Sequence, residues 1–304
     1  FNENAVFFCR WVKGEVIVHA FALDTGEALW EHNLGLHFEN SVPSLKTAAT
    51  SDHVLIHDSG KCWMIDAHKG ELVQKAVFEE RIYKVATSNG RFYASFEGEL
   101  FHLLPDLTRE PHLADRHVRY LVAGNGMLYA LAHSETQKNV LYTLHSETGE
   151  VIREAIIPFM EYLSIGGLHP ISGHPNDLIL SMERGDIHRR VDLENACFKW
   201  RTENKQHFSY EEEGFAPTDV YVGAKGVVLD MFSLARDGDV YVHCDLATGK
   251  ETKVFRALGT GFSKGQGFAF WADQLFEIGN GTINVYETGE SKPKKPPTYV
   301  KLID

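Results

Sequence analysis

A short phrase that ends in Thr-Gly-Glu or a close variant recurs along the chain, and it constrains the fold more than any other feature. Clear copies place their Gly at 26, 70, 149, 249 and 289, and degenerate copies fall near 110 and 196. Successive marks are about 44, 40, 39, 47, 53 and 40 residues apart, which is the repeat length of propeller blades. Seven marks therefore predict seven blades.

Each phrase follows a strand-like run and is expected to reverse the chain. The Asp of the phrase can accept backbone hydrogen bonds, and the Gly can adopt positive φ, so an antiparallel strand follows. Two blades align closely, because Asn89-Gly90 and Asn125-Gly126 lie 36 residues apart. The sequence predicts an all-β, seven-bladed propeller of four-stranded antiparallel blades, a single domain over residues 1–304. The runs are Val16–Leu23, Cys62–Ile65, Leu100–Leu104, Val140–Leu144, Val240–Cys244 and Ile283–Tyr286.

The ends of the chain bear on how the ring closes. Only two strand-like runs precede the first phrase, so the first blade is expected to lack its innermost strand or to borrow it. The terminal run 298–303 follows a stiff, Pro-rich stretch at 292–297. This run is able to complete either the first or the seventh blade, and both possibilities remain open.

Two Trp residues occupy a fixed position relative to the phrase. Trp30 follows Gly26 by four residues, and Trp200 follows Ala196 by four. An apolar strand, Asp-x-x-Thr-Gly-Glu and this Trp together resemble the pyrroloquinoline-quinone-type, or quinoprotein-like, β-propeller repeat. The resemblance covers almost the whole chain and implies the propeller fold.

The same resemblance bears on cofactors and partners. Quinone-binding members of the family are longer, carry the Trp in most blades and in many cases have adjacent cysteines. This chain has the Trp in two blades and no adjacent cysteines, so we expect no quinone and no other cofactor. Shorter members, among them periplasmic outer-membrane assembly lipoproteins, act as binding scaffolds.

The charge balance narrows the class of partner. The chain has 30 basic and 42 acidic residues, a formal net charge of −12. Nucleic-acid binding rests on clustered Lys and Arg, so we expect a protein partner with a basic surface instead. No window reaches the roughly 18 apolar residues of a membrane span.

Cysteine usage indicates the compartment. The four cysteines are far apart and form no Cys-x-x-Cys pair, which favours free thiols and a cytoplasmic protein. A periplasmic or secreted location remains open, since the N-terminus could have been processed.

Three segments between predicted blades are long enough to suggest binding, namely 34–44, 157–177 and 200–218. The third interleaves aromatic residues with an acidic run, and aromatic anchors beside carboxylates suit a basic protein surface. The alternative, in which these aromatics fold back on the blades, remains open. The predicted partner-binding residues are Phe38, Glu39, Phe159, Tyr162, His207, Phe208, Tyr210, Glu211, Glu212, Glu213 and Phe215.

Catalytic and metal-binding motifs are poorly supported. His112 with His117, and His169 with His174, are close in sequence but form no recognised ligand frame. The sequence has no Gly-x-Ser-x-Gly elbow. We therefore predict a non-catalytic scaffold, specifically an inhibitor or immunity-type protein that neutralises a basic toxin. A metal-dependent hydrolase or lactonase-like propeller and a glycan-binding propeller are the alternatives.

Overall fold

All regular structure in the described part of the chain is β. The computed structural model describes residues 2, 4–37, 45–113, 116–133, 139–156, 165–182, 187–203, 215–222, 226–233, 238–256, 267–271, 274–279, 282–287 and 298–299. Within these ranges the strands form seven antiparallel sheets, one of three strands and six of four, each built from strands consecutive in sequence. The chain divides into two compact units, 1–154 and 155–304.

The first unit holds sheets 1 to 4, except for the last residue of β15. Sheet 1 contains β1 (Ala5–Val12), β2 (Glu15–Ala22) and β3 (Ala28–His37), and sheet 2 contains β4 (Lys46–Ala49), β5 (His53–Asp58), β6 (Lys61–Asp66) and β7 (Leu72–Val77). Sheet 3 contains β8 (Ile82–Ser88), β9 (Arg91–Phe96), β10 (Glu99–Leu103) and β11 (Arg109–Leu113), and sheet 4 contains β12 (His117–Gly124), β13 (Met127–His133), β14 (Asn139–His145) and β15 (Val151–Ala155).

The second unit holds sheets 5 to 7. Sheet 5 contains β16 (Ile165–Ile171), β17 (His174–Met182), β18 (Ile187–Asp192) and β19 (Cys197–Glu203). Sheet 6 contains β20 (Phe215–Val222), β21 (Gly226–Ser233), β22 (Gly238–Asp245) and β23 (Glu251–Arg256), and sheet 7 contains β24 (Gly267–Trp271), β25 (Gln274–Gly279), β26 (Thr282–Glu287) and β27 (Thr298–Tyr299).

The middle strands of sheet 2 are apolar on both faces because each face packs on a neighbouring sheet. Val54 and Ile56 belong to a buried cluster with residues of sheet 1. Leu55, between them in β5, packs with residues of sheet 3 such as Phe92. Successive side chains of a strand point to opposite faces, so a strand between two sheets is a continuous apolar run rather than an alternating one.

The turn phrase has the predicted conformation at most of its copies. Gly26, Gly70, Gly149 and Gly249 all have φ near +70°. Ala196 also has positive φ, which confirms the degenerate copy in sheet 5. The mark near 110 is displaced, because in sheet 3 the residue with positive φ is Leu107. The mark near 289 lies outside the described residues.

The Asp of the phrase stabilises the turn as expected. In sheet 2 the Asp66 carboxylate accepts hydrogen bonds from the backbone N–H groups of His68 at 2.9 Å and Lys69 at 2.8 Å. These bonds lower the pKa of Asp66 because they favour its ionised form.

Each Trp of the phrase joins its sheet to the next one, a contact that we term a turn latch. The Trp30 indole N–H donates to the Ala67 carbonyl at 2.9 Å, and its ring covers Gly70 in the turn of sheet 2. A Cβ at Gly70 would lie 2.6 Å from Trp30 Cδ2. Trp200 repeats this latch on sheet 6, where it donates to Leu246 at 2.8 Å and covers Gly249.

A His takes the place of the Trp between sheets 3 and 4. His112 in β11 lies against Gly149 in the turn of sheet 4, so close that a Cβ at Gly149 would overlap its Nδ1 atom. Its ring also contacts those of Tyr93 and His102. The latch is therefore a recurring device of the repeat, made with more than one residue type.

The terminal segment pairs at the end of the chain. Thr298 and Tyr299 form β27, which pairs with β26 as the fourth strand of sheet 7. Of the two predicted positions, the described residues show the one in the last sheet. The phrase lies between the second and third strands in sheet 1 but between the third and fourth in sheet 2, so the described residues give sheet 1 no counterpart of β4. Residues 300–303 lie outside the described residues.

Candidate functional site

The first strands of sheets 2, 3 and 4 lie side by side, since β8 contacts both β4 and β12. Their registers place three residues at corresponding positions. Lys46 pairs with the residue at position 57, Lys84 with that at 95 and Tyr120 with that at 131. In each case the partner is the fifth residue of the second strand of its sheet.

A β-bulge recurs just before this position in sheets 3 and 4. The register shifts between Ile82 and Lys84, and again between Val118 and Tyr120. Each bulge inserts an extra residue, Tyr83 or Arg119, and bulges commonly re-aim side chains near binding sites. Tyr83 is 42% exposed, and Arg119 is exposed as well. We call Lys46, Tyr83, Lys84, Arg119 and Tyr120 the first-strand cluster.

The first-strand cluster is cationic, and two of its members, Lys84 and Tyr120, are partly buried. Lys84 Nζ lies 5.3 Å from the centroid of the Tyr120 ring, at cation–π distance. Burial lowers the pKa of Lys84, and the nearby positive charge of Lys46 lowers it further. Among the ion pairs of the described residues, none involves Lys46 or Lys84.

A buried His lies next to Lys46 of the first-strand cluster. His57, the strand partner of Lys46, is 3% exposed. Burial lowers the pKa of His57 to about 4, with a smaller effect in the same direction from Lys46. The imidazole is therefore neutral at physiological pH, so the charge of this region resides on the two Lys and Arg119.

A second polar group in sheet 5 has the geometry of a nucleophile and its base. Ser181 Oγ lies 2.6 Å from His169 Nε2. Gly167 makes room for this contact, because a Cβ there would lie 2.9 Å from the same nitrogen. Burial and the nearby His188 lower the pKa of His169 well below its usual range, so the ring is neutral but is a weak base. Ser181 is only 7% exposed, however, so little of this residue is open to a substrate.

Asp177 anchors an ionic network on the same sheet. Arg190 and Lys199 both pair with the Asp177 carboxylate, and Lys199 also reaches Asp192 at 3.2 Å. Arg190 donates to the Leu246 carbonyl of sheet 6 at 2.8 Å, so the network ties sheet 5 to sheet 6. The charges of the network are paired with one another, although Arg190 Nε finds no hydrogen-bond partner among the described residues, and this pairing indicates a structural role.

The two His pairs considered for metal binding are not brought together as ligand sets. His112 lies on the turn at Gly149, whereas His117 packs against Gly98. His169 contacts Ser181, while His174 Nδ1 lies 3.9 Å from an Asp177 oxygen. In the ranges given above, no group of three or more His, Cys, Asp or Glu side chains is placed to hold a metal ion.

Most of the residues predicted to bind a partner fall on segments that are not described. Phe215 is the first residue of β20 and pairs with Ser233. The first-strand cluster was missed because a bulge leaves no clear sequence signal. One signal was present: aligning the two Asn-Gly pairs places Lys84 and Tyr120 at matching positions. The predicted residues outside the described ranges are Phe38, Glu39, Phe159, Tyr162, His207, Phe208, Tyr210, Glu211, Glu212 and Glu213.

Sequence comparison finds no matching family model and no matching curated protein. Among the parts of the chain that the structure describes, no helix is long and apolar enough to cross a membrane.

Solved structures resemble the chain over most of its length. The complex of KlAtg21 with the coiled coil of AgAtg16 matches with a TM-score of 0.66 at 12% identity, over 99% of this chain and 96% of that one. The Cps50 (Swd1) β-propeller domain of Myceliophteria thermophila matches at 0.59 and 14% identity, over 94% and 98%. BamB from Moraxella catarrhalis matches at 0.53 and 14%, over 90% and 78%. These likenesses show the fold: the chain is an all-β propeller of antiparallel sheets.

Proposed function

We propose that this propeller is a non-catalytic scaffold that binds a protein partner, and that the first-strand cluster is part of the binding surface. The observation that carries the proposal is the exposed aromatic ring of Tyr83, set at a bulge beside Lys84, which has no described ion-pair partner. Exposed aromatic rings and Arg side chains, here Tyr83 and Arg119, are typical of interface hot spots. The similar KlAtg21 structure is itself a complex with a coiled coil.

We further propose that the seven sheets are seven blades of one ring spanning residues 1–304, with quinoprotein-like repeats. Both Trp residues that carry the resemblance make the same turn latch on the following sheet, which supports a common repeat. A mass measured after native purification would test the expected absence of a quinone, because a bound cofactor would add its own mass.

The more specific role is that of an inhibitor or immunity-type protein for a basic toxin, acting in the cytoplasm. Its support is the net charge of −12, which would speed the capture of a basic protein. The acidic run at 211–213 would be the contact, since the first-strand cluster has the opposite charge. Binding that weakens strongly with salt would support this role, and salt-insensitive binding would contradict it.

A pull-down from native cell extract tests the scaffold proposal. The intact chain is compared with Tyr83→Ser and with a matched control, Val73→Ser, which changes a residue of β7 that is 45% exposed. We expect the intact chain and the control to retain the same protein and Tyr83→Ser to retain less. Failure of the intact chain to retain any protein would refute the proposal. A variant with 207–213 changed to Ser tests the predicted loop in the same assay.

The geometry of Ser181 and His169 favours one alternative, a hydrolase with a Ser nucleophile rather than a metal. A fluorophosphonate probe labels activated serines, and Ser95, which is buried and donates to the Val118 carbonyl at 3.1 Å, is the internal control. The scaffold proposal predicts no labelling of either residue. Labelling of Ser181 that is lost in His169→Gln would establish the hydrolase instead.

A further inference from the structure

The first-strand cluster contains two like charges that the described residues leave without a counter-ion. Lys46 and Lys84 occupy the same position in consecutive sheets, on strands that contact each other. Lys84 is partly buried, whereas Lys46 is exposed. Water screens the partly buried charge of Lys84 less well than an exposed one, so its repulsion by Lys46 is a cost of the folded state. An anion bound between the two Lys would relieve this cost.

The surroundings of the two Lys suit a carboxylate on a peptide. In sheet 4 this position is occupied by Tyr120 instead of a Lys. The Tyr120 ring lies at cation–π distance from the Lys84 ammonium and so restricts the orientation of the Lys84 side chain. Tyr83, in the preceding bulge, offers an exposed ring to apolar parts of the same ligand. Charge-assisted hydrogen bonds from ammonium groups to carboxylates are among the stronger contacts available at an interface.

The charge of the whole chain limits the size of the anion. A net charge of −12 repels a long polyanion such as a nucleic acid, which needs an extended basic surface. A short acidic segment that brings only a few negative charges to a local cationic site meets much less repulsion.

We propose that the first-strand cluster recognises an acidic segment of the partner protein, with Lys46 and Lys84 binding two of its carboxylates. This inference rests on the proposed function and adds the chemistry of the recognised segment. The inference also gives two parts of the chain different ligands. The acidic run at 211–213 would bind basic groups of a partner, and the first-strand cluster would bind acidic groups.

Fluorescence anisotropy with a labelled hexaglutamate peptide at low salt tests the inference directly. We expect the peptide to bind the intact chain and hexalysine not to bind at the first-strand cluster. Lys46→Gln and Lys84→Gln are each expected to weaken hexaglutamate binding about tenfold, and the double variant more. The matched control is Lys69→Gln, which makes the same charge change in the exposed turn at the other end of sheet 2 and should leave affinity unchanged.

Several outcomes would overturn the inference. These are no binding of hexaglutamate, unchanged affinity in the double variant, or an equal loss in Lys69→Gln, which would indicate unspecific attraction. Displacement of the peptide by millimolar phosphate but not by acetate would overturn it in favour of a phosphorylated ligand. Thermal unfolding checks the fold, and removing one of two repelling charges should not lower the Tm of Lys84→Gln.

The two experiments distinguish failure of this inference from failure of the scaffold proposal. If the intact chain retains a partner in the pull-down but does not bind hexaglutamate, the inference fails and the scaffold stands. If no partner is retained at all, the scaffold proposal fails.

Discussion

The substitution Gly70→Ala measures how much a turn latch contributes to stability. Two effects add at this position. Gly70 has φ of +72°, and an Ala in the left-handed region costs about 1–2 kcal/mol. The new Cβ would also lie 2.6 Å from Trp30 Cδ2, so the indole must move and lose its 2.9 Å hydrogen bond to Ala67. Losing that bond costs about 1 kcal/mol, and exposing part of the ring adds about as much.

Gly90→Ala is the matched control. Gly90 has φ of +74°, but no atom lies within 4 Å of a Cβ built there, so the substitution carries the backbone cost alone. We expect the free energy of unfolding, from urea denaturation, to fall by about 1–2 kcal/mol in Gly90→Ala and about 3–4 kcal/mol in Gly70→Ala. In a Trp30→Ala background the excess should disappear, because the ring is gone. Equal losses in the two Gly variants, or an excess that persists without Trp30, would refute the latch.

Three further predictions concern buried groups. Burial sets the His57 pKa at about 4, below its unfolded value of 6.5, so only the unfolded chain gains this proton as the pH falls between those values. Stability should therefore drop by about 3 kcal/mol across that window, and His57→Gln should abolish this part of the pH dependence in urea titrations. Asp177→Ala leaves the Arg190 guanidinium buried without its carboxylate and should cost about 3–5 kcal/mol, whereas a cost below 1 kcal/mol would show that the network contributes little. In a thiol-reagent assay at pH 8, exposed Cys197 should react in the folded protein, while Cys62, buried with its pKa raised to about 12, should react only after unfolding.

Local chemistry explains why the repeat was predictable from the sequence. The turn needs positive φ and a backbone acceptor, so Gly and Asp return once in most repeats. Among the described turns, the mark is displaced in sheet 3, where Leu107 adopts the positive φ. The spacing from the turn phrase singles out the two Trp residues in the sequence. Their role in joining successive sheets depends on contacts with residues about 40 positions away, which no local pattern encodes.

The candidate site was less predictable for a related reason. Lys46 and Lys84 are 38 residues apart, and only the pairing of their strands shows that they share a position. The bulge that exposes Tyr83 is a register shift between strands, so it depends on both partners rather than on one run of residues. The sequence interpretation relied instead on long loops and net charge, and these describe the surface without locating individual contacts.

The latch between sheets 3 and 4 differs from the Trp latches in one chemical respect, since it depends on an imidazole. Burial and the neighbouring His102 lower the pKa of His112, so this latch is made by the neutral ring. An indole does not gain a proton in mild acid, whereas an imidazole eventually does. Of the three turn latches, acidification should therefore weaken the one between sheets 3 and 4 first. A protease added at low pH is then expected to cut between sheets 3 and 4 before it cuts between the sheets that Trp30 and Trp200 join.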